Sequence, residues 1–422
     1  MQGRDHQRRP GPPQTGRNNG TNDTSAAGRT GDGGTGQAAS DHTTQPQSQG
    51  GQPQSPARGG DDRNGSGDRN GSGDRDGGEH SVYAALDLGT NNCRLLIAKP
   101  TRRGFHVIDA FSRIVRLGEG VSATGKLSDA AATRAIDALR ICQSKIVRQR
   151  VSRSKLVATE ACRVAANGPQ FIDRVRDQLG LDIEILSRED EAKLAVCGCA
   201  SLIDIDSDHA MVFDIGGGSS ELIWLDLNRR QGYWRRSLAD RLDAHTCIAA
   251  WTSLPVGVVS MAERFDGRNV TEESFEQMVA WVTGMIEPFE AKYRISEQIA
   301  RGRVHLLGTS GTVTTIAGIL LGLPRYDRNR VDGCWLSTPD VRAVTHGLLM
   351  RSYAERVAEP CIGAERADLV LAGCAILEAL LRMWPARRLR VADRGLREGI
   401  LATLMAADGH FRERGPRRDP QR

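Results

Sequence analysis

The sequence predicts a two-domain α/β protein with a ligand-binding cleft between its halves, preceded by a disordered tail. From about residue 82 onward, short apolar runs typical of buried strands alternate with amphipathic runs typical of helices. A strand–glycine turn–strand unit occurs twice, and an internal repeat of this kind indicates two related halves. The first 80 residues contain no Val, Ile, Leu, Phe, Tyr, Trp or Cys, so they cannot bury enough apolar surface to fold.

The second copy of the unit, residues 212–224, predicts an anion-binding loop. Two apolar runs flank Asp214, three consecutive glycines, two serines and Glu221. Consecutive glycines let a ligand approach the backbone closely, and their exposed N–H groups form a concavity for anions. A carboxylate beside such a loop can contact phosphate through a divalent cation. A tight glycine-rich turn without a ligand is the alternative interpretation.

The first copy, residues 82–97, follows the same spacing. In each copy an Asp is followed two residues later by a Gly and seven residues later by a charged residue. These residues are Asp87, Gly89 and Arg94 in the first copy, and Asp214, Gly216 and Glu221 in the second. Two such hairpins that face each other across a cleft could bind one phosphorylated substrate from both sides.

Eight motifs in chain order resemble those of one family. They are DLGTNNCRLLI, FSRIVRLGEG, ATEACRVAAN, SREDEAKLA, FDIGGGSSEL, SLPVGVVSMAERF, LLGTSGTVTTIAGI and ADRGLREGIL. Residues 82–405 are therefore similar to the exopolyphosphatase and guanosine pentaphosphate phosphohydrolase enzymes of the actin, sugar kinase and Hsp70 superfamily. The resemblance implies two actin-like (ribonuclease H-like) α/β domains and Mg²⁺-dependent hydrolysis of phosphoanhydride bonds.

This resemblance and the composition divide the chain into four parts. We expect a disordered low-complexity tail at residues 1–80 and an actin-like domain with the first hairpin at residues 81–205. A second actin-like domain with the other hairpin follows at residues 206–410, and a basic tail at residues 411–422. Residues 228–245 read as an insertion into the second domain, for which a solvated surface loop is the leading interpretation.

Glu191 is the predicted catalytic residue. It lies in the first turn of a predicted helix that begins at Ser187, which has an acidic residue three positions later, as in a capping box. Acidic residues in a first turn also stabilise a helix through its dipole, which would explain them without catalysis. The family resemblance implies instead that Glu191 is the base that orients the attacking water. We expect the helix N-terminus to keep its carboxylate ionised, as a base must be.

Phosphate and metal ligands are predicted on the two hairpins and on a second glycine loop, residues 308–312. The phosphate-binding set is Gly89, Thr90, Asn91, Arg94, Arg163, Gly216, Gly217, Gly218, Ser219, Ser220, Gly308, Ser310 and Gly311. Arg163 enters through the resemblance, with an ion pair to Glu160 as the alternative, and the second loop could equally be a plain turn. Carboxylate chemistry and the resemblance make Asp87, Asp214 and Glu221 the predicted ligands of Mg²⁺ or another divalent cation.

The leading functional prediction is an exopolyphosphatase that releases orthophosphate from the ends of inorganic polyphosphate. Guanosine pentaphosphate hydrolysis by the same residues is the alternative, because the family motifs are common to both activities. From other classes, an ATP-dependent kinase of the superfamily and a non-catalytic phosphate-binding scaffold remain open. No His-Asp dipeptide occurs, so we expect the accessory metal-dependent phosphohydrolase domain of longer relatives to be absent.

Composition indicates the cellular location of the protein and the classes of partner it has. The chain of 422 residues has a formal net charge of +5 and nine scattered cysteines, which we interpret as buried free thiols in a cytoplasmic protein. No stretch approaches the roughly 18 apolar residues of a membrane helix, and the N-terminus lacks the apolar core of a signal peptide. Basic clusters at residues 325–330 and 387–390, together with Arg394, could line a polyanion track. We expect neither a membrane nor a nucleic-acid partner, and the resemblance implies a homodimer.

Overall fold

Two mixed α/β sheets form the described part of the protein. The computed structural model describes residues 81–102, 104–204, 206–229 and 242–411, which lie within one compact unit, Gly73–Arg422. The predicted tail at residues 1–80 lies outside the described residues, as do most of the predicted insertion at 228–245 and nearly all of the predicted C-terminal tail. None of the described helices is long and apolar enough to span a bilayer.

The first sheet has five strands in the order β3–β2–β1–β4–β5. Strands β1 to β3 are antiparallel neighbours, whereas β4 and β5 run parallel to β1. The strands are β1 (Tyr83–Leu88), β2 (Asn92–Thr101), β3 (Gly104–Ile114), β4 (Arg153–Ala158) and β5 (Glu184–Ile185). The helices of this half are α1 (Val121–Thr124), α2 (Asp129–Arg148), α3 (Glu160–Val164), α4 (Gly168–Leu179) and α5 (Arg188–Cys199), followed by a 3₁₀ turn at Ala200–Leu202.

The second sheet has six strands in the order β10–β11–β9–β6–β7–β8 and repeats this plan. Strands β6 to β8 are antiparallel neighbours, and β9 and β11 continue parallel to β6. The strands are β6 (His209–Ile215), β7 (Ser220–Asp226), β8 (Ile248–Leu254), β9 (Val304–Thr309), β10 (Trp335–Ser337) and β11 (Arg388–Ala392). The helices are α6 (Val258–Phe265), α7 (Glu272–Tyr293), α8 (Ile295–Ala300), α9 (Ser310–Leu320), α10 (Arg328–Val331), α11 (Thr338–Met350), α12 (Tyr353–Ala358), α13 (Val370–Met383) and α14 (Leu396–Ala407), with 3₁₀ turns at Leu227–Arg229 and Asp243–Cys247. Two sheets with the same arrangement confirm the predicted fold class of two actin-like α/β halves.

Helices cover both faces of the first sheet. Helices α2 and α4 pack on one face. Ser128 caps the start of α2, because its hydroxyl accepts a hydrogen bond from Ala131 N at 3.2 Å. The opposite face packs against α14, whose Ile400 and Met405 share a core with Tyr83. Helix α14 follows the last strand of the second sheet, so the chain returns to the first half at its end. The predicted domain boundary between residues 205 and 206 stays a prediction. Helix α14 belongs to the predicted second domain by sequence, but it packs on the sheet of the first.

Helices α5 and α14 pack against each other through glycines. A Cβ on Gly198 would overlap the carbonyl oxygen of Gly395, and a Cβ on Gly399 would overlap that of Leu194. Only glycine lets two helix backbones approach this closely. Helix α5 also shares a core with strands β6 and β7 of the second sheet. The two helices therefore join the two halves in backbone contact.

Gly399→Ala should lower the free energy of unfolding by about 1–3 kcal/mol, because the added methyl group overlaps the Leu194 carbonyl oxygen. Gly347→Ala is the matched control, since Gly347 is exposed in α11 and no heavy atom lies within 4 Å of an added Cβ. That control should raise the free energy of unfolding by about 0.5–1 kcal/mol. Urea denaturation of both variants measures the two effects. Effects of the same sign would contradict the packing role of Gly399.

One predicted strand is much shorter than its apolar run. The sequence predicts a strand over residues 181–186, whereas β5 contains only Glu184–Ile185. Leu181, Ile183 and Leu186 are nevertheless buried. The apolar run therefore packs into the core mostly as irregular chain, which hydrophobicity alone does not distinguish from a strand.

The nine cysteines are free thiols, as predicted. Eight of them are buried, and Cys334 is half-buried. Burial raises the pKa of the Cys162 and Cys374 thiols to about 12, so both groups stay protonated at neutral pH.

Candidate active site

The two glycine hairpins are equivalent in register as well as in sequence. In each hairpin the Asp pairs across the ladder with the charged residue seven positions later; the pairs are Asp87 with Arg94 and Asp214 with Glu221. The same backbone hydrogen bond closes each turn; its donor and acceptor are Gly89 N and Asn92 O at 2.8 Å, and Gly216 N and Ser219 O at 2.9 Å. Each turn therefore has a carboxylate at its base.

The turns of the two hairpins touch each other. A Cβ on Gly217 would lie 2.9 Å from Thr90 Cβ, and one on Gly218 would lie 2.7 Å from Thr90 Oγ1, so both positions require glycine. Helix α6 holds the second turn, because Val258 N donates to Gly216 O at 2.9 Å. The amides of Gly217 and Gly218 donate to no group of the described residues, which leaves them free for an anion.

A cleft of about 180 Å³ is lined by residues of both halves. Its walls come from the two hairpins, the starts of α5, α9 and α14, and the segment before α13. The predicted site residues that line it are Asp87, Gly89, Thr90, Asn91, Arg94, Glu191, Asp214, Gly216, Gly217, Gly218, Ser219, Glu221, Ser310 and Gly311. The structure therefore brings together most of the predicted site from four separate stretches of the chain.

Three predicted phosphate ligands lie outside the cleft lining: Ser220, Gly308 and Arg163. The Ser220 hydroxyl is buried and donates to Val256 O at 2.7 Å. Gly308 lies inside β9, where an added Cβ would come within 2.7 Å of the Phe213 ring, so packing explains this glycine. Arg163 lies beside the cleft, where carboxylates engage its guanidinium.

Glu191 is held by Arg163. The guanidinium donates from Nη2 to Glu191 Oε2 at 2.7 Å and from Nε to Glu160 Oε2 at 2.9 Å. The other Glu160 oxygen accepts from Arg188 Nη2 at 2.7 Å. Glu160 is only 6% exposed, so a buried carboxylate between two arginines fixes Arg163 against Glu191. The ion pair that was the alternative interpretation of Arg163 is present.

Burial dominates the charge state of Glu191. Desolvation and the nearby Glu221 raise the pKa of Glu191 to about 8, while Arg163 lowers it. Ser187 does cap α5, since its hydroxyl accepts from Asp190 N at 3.1 Å. Desolvation and Glu221 outweigh Arg163, so burial acts against the expectation that the helix N-terminus keeps this carboxylate ionised. A raised pKa makes the ionised carboxylate a stronger base.

Asp87 and Asp214 are the carboxylates that best fit a cation. Both are half-buried in the cleft wall, and desolvation raises the pKa of each. Asp214 raises the pKa of Asp87 further, so a divalent cation would relieve both groups. Glu221 is less available as a metal ligand, because its Oε1 accepts hydrogen bonds from Ser219 Oγ at 2.7 Å and from Ser253 Oγ at 2.9 Å. No three His, Cys, Asp or Glu side chains of the described residues form a metal-binding group alone, so phosphate oxygens and water would complete the coordination.

The second glycine loop meets the cleft at the start of α9. Ser310 has a φ of 77°, which is strained for a residue with a side chain. Its hydroxyl donates to Ile215 O at 2.6 Å and ties this loop to the second hairpin. Gly311 lines the cleft, and no heavy atom lies within 4 Å of an added Cβ. The loop is therefore part of the cleft wall, and its contact with phosphate stays a prediction.

Two further arginines, Arg366 and Arg397, were not predicted as ligands. Both line the cleft, and neither side chain forms a hydrogen bond or ion pair with another residue in the described part of the chain. Arg366 shares its segment with Ile362 and Leu369, which give this end of the cleft an apolar wall. No sequence pattern singles out Arg366. For Arg397 the available signal is a positive charge in the first turn of a predicted helix.

The sequence of this chain matches a protein-family model over most of its length. Residues 96–407 match the model of the Ppx/GppA phosphatase family. The chain belongs to this family. Members of the Ppx/GppA family are phosphoanhydride hydrolases, and the family membership predicted from the eight motifs is confirmed.

Relatives of the Ppx/GppA family match most of this chain. A guanosine-5'-triphosphate,3'-diphosphate pyrophosphatase of Photobacterium profundum is 27% identical over 341 residues, which are 78% of this chain and 60% of the relative. This chain thus spans less than two thirds of the length of that relative. The crystal structure of an Aquifex aeolicus family member is 26% identical, covers 78% of this chain and 99% of its own, and has a TM-score of 0.61. An exopolyphosphatase structure from Cytophaga hutchinsonii, 23% identical, covers 78% of this chain and 98% of its own with a TM-score of 0.68, and supports the fold alone.

Proposed function

We propose that the protein hydrolyses the terminal phosphoanhydride bond of a linear polyphosphate group and releases orthophosphate. One observation carries this proposal: the same cleft is lined by Glu191, the two glycine hairpins and the half-buried carboxylates Asp87 and Asp214. Phosphoryl transfer needs little covalent chemistry from a protein. It needs neutralised phosphate oxygens and a water molecule placed in line with the bond that breaks.

Glu191 is the proposed general base. The ionised carboxylate accepts a proton from water, and the water oxygen attacks the terminal phosphorus. The bond from that phosphorus to the bridging oxygen breaks, and the shortened chain leaves with the bonding electrons. Arg163 and Glu160 hold the carboxylate in one orientation, which favours catalysis because a small displacement of a reacting group is costly.

Divalent cations should be required for activity. Bound Mg²⁺ would neutralise phosphate charge, and Asp87 and Asp214 are the residues proposed to hold it. Chelation with EDTA should abolish phosphate release, and added Mg²⁺ should restore it. Asp214→Asn should raise the Mg²⁺ concentration for half-maximal activity by about tenfold or more. Asp226→Asn is the control, because Asp226 ends β7 outside the cleft lining, and it should leave that Mg²⁺ concentration unchanged. Full activity in EDTA would contradict a metal role.

Arg163→Met separates a positioning role from phosphate binding. We expect kcat to fall by about tenfold to a hundredfold, because Glu191 loses the group that orients it, while KM changes less than about twofold. Steady-state kinetics of phosphate release measure both constants. Arg176→Met removes an exposed arginine paired with Asp173 and Asp182, and serves as the control. A raised KM with unchanged kcat would instead assign Arg163 to phosphate binding.

Inorganic polyphosphate and guanosine pentaphosphate are the two candidate substrates. The hairpins and Arg94 offer contacts to phosphate groups only, which supports polyphosphate. The apolar side chains of Ile362 and Leu369, which line the same cleft near Arg366 in sequence, support binding of a nucleoside. The Photobacterium relative is named for a guanosine nucleotide, which supports the second candidate equally.

Parallel assays of phosphate release from long polyphosphate, short polyphosphate and guanosine pentaphosphate test the proposal. Release from at least one of them is the expected result, and the ratio of the three kcat/KM values assigns the substrate. ATP-dependent phosphorylation of an acceptor without any such release would favour a kinase. Binding of all three without turnover would favour a scaffold.

The cellular location and the oligomeric state of the protein are proposals that rest on the family resemblance. We propose a cytoplasmic enzyme that acts as a homodimer. Light scattering on the purified full chain measures the mass in solution, and a mass of one chain at all concentrations would contradict the dimer.

A further inference from the structure

Arg397 occupies a position that is unfavourable for an arginine without a ligand. It is the second residue of α14, where a positive charge opposes the helix dipole. Its side chain is half-buried at the wall of the cleft, and desolvation lowers the pKa of its guanidinium. Its side chain forms no hydrogen bond or ion pair with any other described residue. Buried arginines are ordinarily paired, because an isolated buried charge is destabilising.

The carboxylates around Arg397 attract its guanidinium but accept no hydrogen bond from it. The next residue, Glu398, is buried, but both of its oxygens are engaged: Oε1 accepts from Arg328 Nη2 at 2.7 Å and Oε2 accepts from the N-cap backbone N–H at 2.9 Å. Arg94 lies near enough to lower the pKa of Arg397 further, so two arginines repel each other in the cleft. The carboxylate of Asp87 attracts both arginines without forming an ion pair with either.

The neighbouring Arg394 offers a comparison, because protein groups accept its hydrogen bonds. Arg394 lies three residues earlier and also lines the cleft. It donates from Nε to Asp332 Oδ2 at 2.9 Å and from Nη1 to Ser201 Oγ at 3.0 Å. The same loop therefore satisfies Arg394 with protein groups and leaves Arg397 unsatisfied.

We propose that Arg397, together with Arg94, binds a phosphate group of the substrate. The planar fork of a guanidinium matches two phosphate oxygens, and an anion between the two arginines would cancel their repulsion. Because α5 and α14 are in backbone contact at Gly198 and Gly399, Arg397 is held in a fixed relation to the helix that carries Glu191. This inference rests on the proposed function. It adds a residue that fixes the position of the phosphate chain relative to Glu191.

Binding of inorganic tripolyphosphate to the full chain tests this assignment. The parent protein carries Glu191→Gln to prevent turnover, and Mg²⁺ is present throughout. Adding Arg397→Met should weaken the Kd measured by calorimetry by about tenfold or more, because charge-assisted hydrogen bonds are lost. Without ligand, the same variant should have an unchanged or higher Tm, because a half-buried charge without a hydrogen-bonding partner has been removed. Arg397→Lys keeps the charge without the fork and should recover part of the affinity.

Arg394→Met is the matched control for a structural arginine. It should lower the Tm without ligand, because Asp332 loses its partner. If Arg397→Met lowers the Tm as much as Arg394→Met does, or binds tripolyphosphate within about twofold of the parent, the assignment is overturned. A parent protein that does not bind tripolyphosphate would overturn the proposed function itself, whereas a parent that binds it as tightly as the Arg397→Met variant would overturn only this inference.

Discussion

Glu191→Gln should remove almost all phosphate release while leaving substrate binding intact. The amide keeps the size of the side chain and a contact with Arg163, but it cannot take a proton from water. We expect kcat to fall by about a hundredfold or more, which is the usual contribution of a positioned general base. Phosphate release under single-turnover conditions measures the loss, and calorimetry with tripolyphosphate measures binding.

Glu189→Gln is the control for that variant. Glu189 lies two residues earlier in α5, is exposed, and pairs with Lys193 at 2.7 Å. It should keep full activity, since it does not line the cleft. Unchanged turnover in Glu191→Gln would remove the base assignment and direct attention to the other carboxylates of the cleft.

Gly257→Ala should cause a comparable loss of activity without touching a substrate-binding group. A Cβ at this position would overlap the backbone of Gly217 and Gly218, so the methyl group must displace the second hairpin turn or the start of α6. A displacement of about 1 Å in a binding group can reduce the rate about a hundredfold, and we expect kcat/KM to fall by that order. The overlap should also lower the free energy of unfolding by about 1–3 kcal/mol.

Gly347→Ala controls for the general effect of adding a methyl group to a glycine. It lies in open space on α11 and should leave kcat/KM unchanged. Circular dichroism at the assay temperature separates loss of the turn from global unfolding. A Gly257→Ala protein with full activity would show that the position of the glycine turn does not matter for catalysis.

The hairpins could be predicted because their geometry is local. Two strands joined by a short turn must pair with each other, so the spacing of Asp87 and Arg94 already places them opposite each other. The same reasoning placed Asp214 opposite Glu221. The spacing alone does not show whether the side chains of Ser219 and Ser220 face the cleft or the interior. Ser219 lines the cleft, whereas Ser220 points to the interior as the alternation of a strand requires.

The arginine network could not be predicted in the same way. Arg163 and Glu191 are 28 positions apart, and their contact depends on how α3 and α5 pack. Arg397 reaches the cleft only because the last helix returns to the first sheet, which no local pattern reveals. The raised pKa of Glu191 also follows from burial by distant segments. The family resemblance, and not local acidic patterning, singles out Glu191 as the candidate base, and neither indicates its raised pKa.

The return of the chain at α14 sets the order in which the protein can fold during synthesis. The ribosome makes the first sheet early, but the face with Tyr83, Ala85 and Leu96 has no covering helix until residues 396–407 emerge. A nascent chain with an uncovered apolar face is prone to aggregation. This chain must therefore shield that face through most of its translation. A stop codon just before α14 would leave the earliest-made half without part of its core.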